Sequence, residues 1–278
     1  MTGNTLGWVI VAFVLYLLMM IAIGAFYAKG NNNSEDYFLG GRKLNGFVAA
    51  LSAQASDMSG WLLMGLPGAI YLTGVGGDGW IAIGLFIGTT LNWLFIATKL
   101  RRYTIRANNS VTLPTYFENR FHDEKKVLMA VSSITIVVFF LVYCASALSA
   151  GGQLFESVFG IDYHVALTIG ALVVLVYTFL GGFTAVCVTD FIQGMLMLVG
   201  ILAVPLFAYH FMTSGGTTLS AGLEASGADS TNFLNLMKNG DGSNNIVSVI
   251  SGLGWGLGYF GMPHILVRFM AVRDEKEM

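Results

Sequence analysis

A carboxylate inside a long apolar stretch is the feature of this sequence that most restricts its fold. Asp57 lies within residues 47–72, which are apolar over a length that can cross a bilayer. A charge at that depth costs about 2.5–3.5 kcal/mol on insertion scales. Helix-weakening residues follow it: Gly60, Gly65, Pro67 and Gly68. Because a charge and an interrupted helix at membrane depth are tolerated only against protein or a water-filled cavity, Asp57 is predicted to mark a substrate or ion site.

The composition agrees with a membrane protein. Of 278 residues, 55 % are hydrophobic and only 11 % are charged. A formal net charge of −2, without a basic stretch interleaved with aromatics, argues against nucleic-acid binding. Cys144 and Cys187 lack metal-ligand spacing and are interpreted as packing residues. The first apolar stretch, residues 6–27, has no basic flank or small-residue cleavage site, so it is predicted to be a retained span and not a signal peptide.

Seven segments reach the length of roughly 20 apolar residues that a membrane-crossing helix needs. They lie at 6–28, 46–73, 79–98, 127–149, 164–183, 188–212 and 246–270. The sequence therefore predicts an all-α membrane protein with about seven transmembrane helices.

The positions of the basic residues predict the orientation of these helices. Of the 14 Lys and Arg residues, all but Lys238 fall between spans one and two, between spans three and four, or at the end of span seven. Cytoplasmic loops carry the excess of Lys and Arg. Loops 29–45 and 99–126 are therefore predicted to be cytoplasmic, with the amino terminus outside and residues 213–245 forming an extracellular loop.

Span seven is interrupted in the same way as span two. Five glycines and a proline lie within residues 252–264. Paired Gly/Pro-interrupted spans are typical of transporter sites built from discontinuous helices. The end of one half-helix exposes carbonyl oxygens that can coordinate a cation, and the start of the next exposes amides that attract a carboxylate. The two spans therefore offer complementary sites for Na⁺ and an amino-acid-like anion.

Structural alternatives exist for each of these features. Gly254 and Gly258 have the spacing of a close helix-packing face. Asp57 has the residue type of a cap for the second half of its span. Asp190, at the start of predicted span six, suits the positive end of a helix dipole. Tyr143, in span four, has the residue type of an interface or core aromatic more often than that of a ligand contact.

Several motifs together resemble the sodium/solute symporter family, in particular its proline-transporting bacterial members. Residues 52–68 resemble the second helix of those proteins, and further signatures follow the same order at 37–42, 143–146, 178–183 and 254–261. One position departs from that pattern, because Met262 stands where those symporters carry glutamine. The resemblance implies a LeuT-like fold of inverted five-helix repeats in a single transmembrane domain. Its parts would be a first helix and cytoplasmic loop (1–45), a first repeat (46–212), an extracellular loop (213–245) and the start of a second repeat (246–278), in a carboxy-terminally truncated chain.

The resemblance also implies roles for individual residues. The backbone carbonyls of Ala55 and Met58 would bind Na⁺, and Asp57 would organise that site. The substrate would contact Ser59, Gly60, Tyr143, Trp255, Tyr259 and Pro263, with the first two facing its carboxylate. Gating and coupling would depend on Arg42, Ser52 and Asp190.

The implied function is sodium-coupled import of L-proline across the plasma membrane, with Na⁺ as the co-transported ion and no enzymatic step. Three alternatives remain open: a symporter for another solute such as pantothenate or a sugar, a truncated remnant that does not transport, and a membrane enzyme. The sequence contains no His-Glu-x-x-His, no Gly-x-Ser-x-Gly and no paired intramembrane aspartates, so an enzyme is disfavoured.

Overall fold

A computed structural model describes residues 3–278, which are helical almost throughout and contain no β-strand. The first half of the chain forms α1 (Gly3–Ala28), α2 (Ser34–Leu39), α3 (Gly46–Asp57), α4 (Leu66–Thr73), α5 (Val75–Asn92), α6 (Thr98–Arg106) and α7 (Leu113–Phe121). The second half forms α8 (Val127–Phe159), α9 (Tyr163–Ser214), α10 (Leu219–Ala225), α11 (Ser230–Phe233), α12 (Ile246–Trp255) and α13 (Pro263–Ala271). The all-α prediction is therefore confirmed.

Within the described residues, four helices are long and apolar enough to cross a membrane. They are Gly7–Ala28, Val75–Arg106, Val127–Phe159 and Tyr163–Ser214. A fifth candidate span is a bent pair, Ile246–Gly261 with Pro263–Ala271, whose two parts meet at 47°. Predicted span two consists of shorter pieces because it is interrupted.

Predicted spans five and six are two helices that meet at a kink at Gly182, and the pair is numbered here as α9. Gly182 has φ 62° and ψ −158°, a conformation open essentially only to glycine. Helix resumes directly after it, at residues 183–188, so the predicted division into two spans is present but lies at this one glycine and not at residues 184–187.

The chain divides into two compact units. The first contains residues up to 56, 99–192 and 267–278, and the second contains 57–98 and 193–266. Helix α3 belongs to the first unit except for its last residue, Asp57.

In the first unit, the segment after α13 is bound to the loop that precedes α3. The backbone amide of Leu44 donates to the carbonyl of Ala271, and that of Arg273 donates back to Leu44. The carboxylate of Glu277 then accepts a hydrogen bond from the amide of Gly46 at 2.9 Å. The first four backbone amides of a helix have no acceptor within the helix. Glu277 accepts from one of them, at Gly46, and therefore caps α3.

In the second unit, glycines allow α5 to pack closely against α12 and the turn that follows it. A Cβ added to Gly84 would lie 2.3 Å from the carbonyl oxygen of Gly252, and one added to Gly88 would lie 2.2 Å from that of Gly256. Gly258, in contrast, has nothing within 4 Å of an added Cβ. The alternative that a pair of glycines four residues apart forms a packing face in span seven is confirmed, but the pair is Gly252 and Gly256 and not Gly254 and Gly258.

The segment between α11 and α12 in the second unit is attached to the start of α5. The Trp80 indole donates to the carbonyl of Leu236 at 2.7 Å. The side chain of Asn245 donates to the carbonyl of Gly76, also at 2.7 Å. These bonds hold the loop against the helix that packs on α12.

Candidate functional site

Span two is discontinuous as predicted. Helix α3 ends at Asp57, Met58 and Ser59 are not helical, and a π-helical turn at Trp61–Gly65 leads into α4. The last carbonyls of a helix have no intrahelical partner. The break therefore presents backbone oxygens beside the Asp57 carboxylate.

Span seven is also discontinuous as predicted. Helix α12 ends at Trp255, the chain continues as a 3₁₀ turn at Gly256–Gly261, and α13 begins at Pro263. Met262 has extended backbone, with φ −75° and ψ 107°. Proline lacks the amide that a continuing helix needs, which explains why the second half begins there.

The second unit brings residues of the two interrupted spans together. The Tyr259 hydroxyl donates a hydrogen bond to the carboxylate of Asp57. A second contact joins the same two spans four residues from the first, after Asp57 and before Tyr259. There the Trp61 ring stacks on Trp255, with centroids 5.8 Å apart and planes inclined by 14°. Asp57 is thus bonded across the two spans, and the turn after it begins at Gly60 without a side-chain cap. The alternative that Asp57 is only an N-cap is therefore wrong.

A second cluster lies in the first unit around Asp190. Its Oδ2 accepts hydrogen bonds from the hydroxyls of Ser52 at 2.8 Å and Ser56 at 3.0 Å. The Arg268 guanidinium lies 2.8 Å from the same oxygen and also donates to Ser52 at 3.0 Å. Asp190 lies eight residues after the kink at Gly182, beyond the first turn of the second half of α9, so its predicted position at a helix start is wrong. Its charge is balanced by Arg268 and not by a helix dipole.

Tyr143 belongs to the first unit and contacts the chain just before the break. Its hydroxyl donates to the carbonyl of Ser56 at 3.1 Å. This hydrogen bond connects Tyr143 to the last turn of α3. The contact of Tyr143 with the substrate stays a prediction.

Arg42, in the first unit, donates hydrogen bonds to several backbone and side-chain acceptors. Its guanidinium donates to the carbonyls of Met270 and Ser110, each at 2.8 Å, and to the side chains of Thr104 and Asn109. Burial lowers the pKa of Arg42, and nearby Arg101 lowers it further. Arg42 is therefore a buried connection between α13, α6 and the loop that follows α6, and its gating role stays a prediction.

The remaining predicted residues lie along the two breaks. Ala55 is buried near the end of α3, while Met58, Ser59, Gly60 and Pro263 are half-buried. The carbonyl of Ser59 accepts a hydrogen bond from the amide of Leu63 at 3.1 Å, and this bond begins the turn that leads to α4. Their roles toward Na⁺ or substrate stay predictions.

Sequence reasoning missed two residues of these clusters. Asn92 donates to the carbonyl of Tyr259 at 2.8 Å from a fully buried position in α5. Arg268 was assigned only to the basic end of span seven, although it balances Asp190. The signal for Asn92 was present, because a lone amide in an apolar span needs an internal hydrogen-bond partner.

The fold resembles that of a solved Na⁺-coupled sialic acid symporter in a substrate-bound, outward-open state. The match has a TM-score of 0.75 and 21 % identity and covers 94 % of this chain and 54 % of that one. This likeness shows the fold, and the pair of interrupted helices is a feature that secondary transporters use to build their binding sites.

The sequence comparisons identify the family. A family model described as "Sodium:solute symporter family" matches residues 37–278, and the chain belongs to this family. The chain is 48 % identical to the sodium/proline symporter of Salmonella typhimurium over 262 residues, 94 % of this chain and 50 % of that protein. It is 48 % identical to the high-affinity proline transporter PutP of Bacillus subtilis over 259 residues, 93 % of this chain and 53 % of that protein. It spans about half the length of the curated relatives it matches.

Proposed function

We propose that the protein is a secondary transporter that carries L-proline into the cell together with Na⁺. The observation that carries this proposal is the end of α3 at Asp57, whose carboxylate is bonded to Tyr259 in the other interrupted span. The names of the two relatives above support the choice of proline. The protein lies in the cell membrane with its amino terminus outside and loops 29–45 and 99–126 in the cytoplasm, as the distribution of Lys and Arg indicates.

Na⁺ binds where α3 ends. The backbone oxygens of Ala55 and Met58 coordinate the ion, and the carboxylate of Asp57 organises the site. Carbonyls at the carboxyl end of a helix are free of intrahelical bonds and carry the negative end of its dipole, so they suit a small cation.

Proline binds beside the same break. Ser59 and Gly60 face its carboxylate, while Trp255, Tyr259 and Pro263 enclose the pyrrolidine ring. Tyr143 adds a further contact. Apolar and aromatic walls with a few polar groups are typical of small-molecule sites, and they suit a ring that carries one carboxylate and one ammonium group.

The cycle has no covalent step, so the protein acts as a transporter and not as an enzyme. Binding of Na⁺ forms the proline site, and rearrangement of Arg42, Ser52 and Asp190 opens the path to the cytoplasm. One charge crossing 100 mV supplies about 2.3 kcal/mol. A tenfold Na⁺ gradient adds roughly 1.4 kcal/mol. Together they sustain a proline gradient of about a few hundredfold.

Uptake into proteoliposomes tests this function. The protein expressed from its complete gene is reconstituted, and labelled L-proline is supplied with an inward Na⁺ gradient or with K⁺ in its place. Proline is expected to accumulate only with Na⁺. Na⁺ entry driven by pantothenate or a sugar, without proline uptake, would overturn the choice of substrate.

A matched pair of carboxylates tests the ion site. Asp57→Asn is expected to raise the Na⁺ concentration for half-maximal uptake at least about tenfold, because a charge-assisted hydrogen bond is lost. Asp78→Asn is the control, since Asp78 lies in the first turn of α5 and accepts only a local bond from Thr73. Equal effects of both changes would contradict a special role for Asp57.

A further inference from the structure

Asn92 ends a row of three contact residues on one face of α5. Gly84, Gly88 and Asn92 are spaced by four positions and therefore lie one above another on the helix. The two glycines let the backbone of α5 reach the carbonyls of Gly252 and Gly256. Asn92 continues that line and donates from Nδ2 to the carbonyl of Tyr259 at 2.8 Å.

The amide of Asn92 is buried at a cost that one hydrogen bond does not fully offset. Its side chain has no exposure to solvent, and its Oδ1 has no hydrogen-bond partner among the described residues. A buried polar atom without a partner costs about 1–3 kcal/mol. An apolar residue of the same size would remove that cost, so packing alone does not explain an asparagine here.

The group that receives this bond lies in the part of span seven that is not α-helical. Tyr259 is in the 3₁₀ turn Gly256–Gly261, where hydrogen-bond geometry is poorer than in an α-helix. The same residue is only 4 % exposed, and its hydroxyl donates to Asp57. The backbone of Tyr259 is thus held from one side by Asn92, while its side chain holds the carboxylate of the other interrupted span.

We infer that Asn92 is a positioning residue of the transport cycle, which fixes the carbonyl of Tyr259 and thereby aims the Tyr259 hydroxyl at Asp57. The link to transport rests on the proposed function, in which Asp57 organises the Na⁺ site. The positioning itself is a property of the described contacts and can be tested without transport.

The first test reads the Tyr259 hydroxyl directly. Infrared difference spectra of ring-labelled tyrosine, taken between the protein and its Tyr259→Phe variant, isolate the C–O band of this phenol. Asn92→Leu, which has nearly the same volume but no donor, is expected to shift that band away from its position in the unsubstituted protein. Thr90→Val is the control on the same helix, because the exposed Thr90 bonds only to the carbonyl of Phe86. An unshifted band in Asn92→Leu would overturn the inference, whatever the protein transports.

The second test is a double-mutant cycle on the Na⁺ response. Asn92→Leu is expected to raise the Na⁺ concentration for half-maximal uptake about tenfold, in line with the loss of one buried hydrogen bond. In a Tyr259→Phe background the same change is expected to add less than about twofold, because the bond it supports is already absent. Effects that multiply in the double variant would mean that Asn92 acts independently of Tyr259 and would overturn the inference.

The two tests separate this inference from the proposed function. A shifted phenol band together with no Na⁺-driven proline uptake by the unsubstituted protein would refute the transport assignment and leave the positioning role standing. If Asn92→Leu does not accumulate in the membrane, Asn92→Thr carries the same two tests. Its hydroxyl is expected to bond to the carbonyl one turn earlier, as that of Thr90 does, and so to abandon Tyr259.

Discussion

Arg268 and Asp190 form an ion pair in the interior of the first unit, with Nη2 2.8 Å from Oδ2 and only 7 % and 11 % of the two side chains exposed. The hydroxyls of Ser52 and Ser56 donate to the same carboxylate oxygen. A carboxylate in an apolar helix is thereby paired and hydrogen-bonded, which is the condition under which a buried charge is tolerated.

Removal of this charge is expected to destabilise the protein strongly. Asp190→Asn leaves the Arg268 guanidinium buried without a counter-ion, a change that costs about 3–5 kcal/mol. The free energy of unfolding in detergent micelles is the measurement. The control is Glu118→Gln, which breaks a pair at 3.6 Å between the half-buried Glu118 and the exposed Lys126 and is expected to cost no more than about 1 kcal/mol. Similar small losses in both variants would contradict a buried, compensated pair.

Two neighbouring glycines of span seven are expected to respond oppositely to the same substitution. A Cβ on Gly256 would lie 2.2 Å from the carbonyl oxygen of Gly84, whereas Gly258 has nothing within 4 Å. Gly256→Ala should lower the free energy of unfolding by about 1–3 kcal/mol or more, since backbone would have to move. Gly258→Ala should be nearly neutral or slightly stabilising. Thermal unfolding of both variants is the measurement, and a larger loss in Gly258→Ala would contradict the packing described here.

Arg42 is expected not to be replaceable by lysine. Its planar guanidinium serves acceptors that include the carbonyls of Met270 and Ser110, and a single ammonium cannot match that geometry. Arg42→Lys is expected to reduce stability by about 2–3 kcal/mol, corresponding to the loss of one or two charged hydrogen bonds. Hydrogen exchange of residues 268–272 measures the loosening. Lys43→Arg, at the exposed neighbouring position, is expected to leave that exchange unchanged, and faster exchange there would count against the specific role of Arg42.

The cap on α3 is expected to weaken in acid. Its hydrogen bonds to Arg273 and to the Gly46 amide lower the pKa of Glu277 below the usual 4.5. A carboxyl whose pKa is lowered in the folded state stabilises that state above the unfolded pKa and loses the effect as pH falls through the folded value. Protection of the Gly46 amide against hydrogen exchange should therefore fall in acid, below about pH 4.5, faster than the intrinsic exchange chemistry predicts.

A neutral side chain at the same place is the comparison for this cap. Glu277→Gln should show weaker protection of Gly46 at neutral pH and no additional loss in acid. Glu124→Gln, in an exposed loop, should behave as the unsubstituted protein does. Persistence of the acid-dependent loss in Glu277→Gln would assign it to another group.

The interruptions of spans two and seven were predictable because glycine, proline and a carboxylate in an apolar stretch act locally on the backbone. The same local reasoning failed for Asp190, whose counter-charge comes from Arg268, 78 residues away. Sequence reasoning also named Gly254 and Gly258 as the packing pair, whereas Gly252 and Gly256 make the contact. Spacing alone does not tell which face of a helix meets a neighbour.

By itself, the amino-acid sequence determined that this chain forms apolar helices, which of them break, and which family it resembles, because hydrophobic length and backbone conformational preference are properties of short segments. Only the tertiary structure decided that Tyr259 bonds to Asp57, that Arg268 balances Asp190 and that Asn92 supports the broken turn. Those contacts join residues far apart in the chain, and a buried polar group finds its partner through the packing of whole helices.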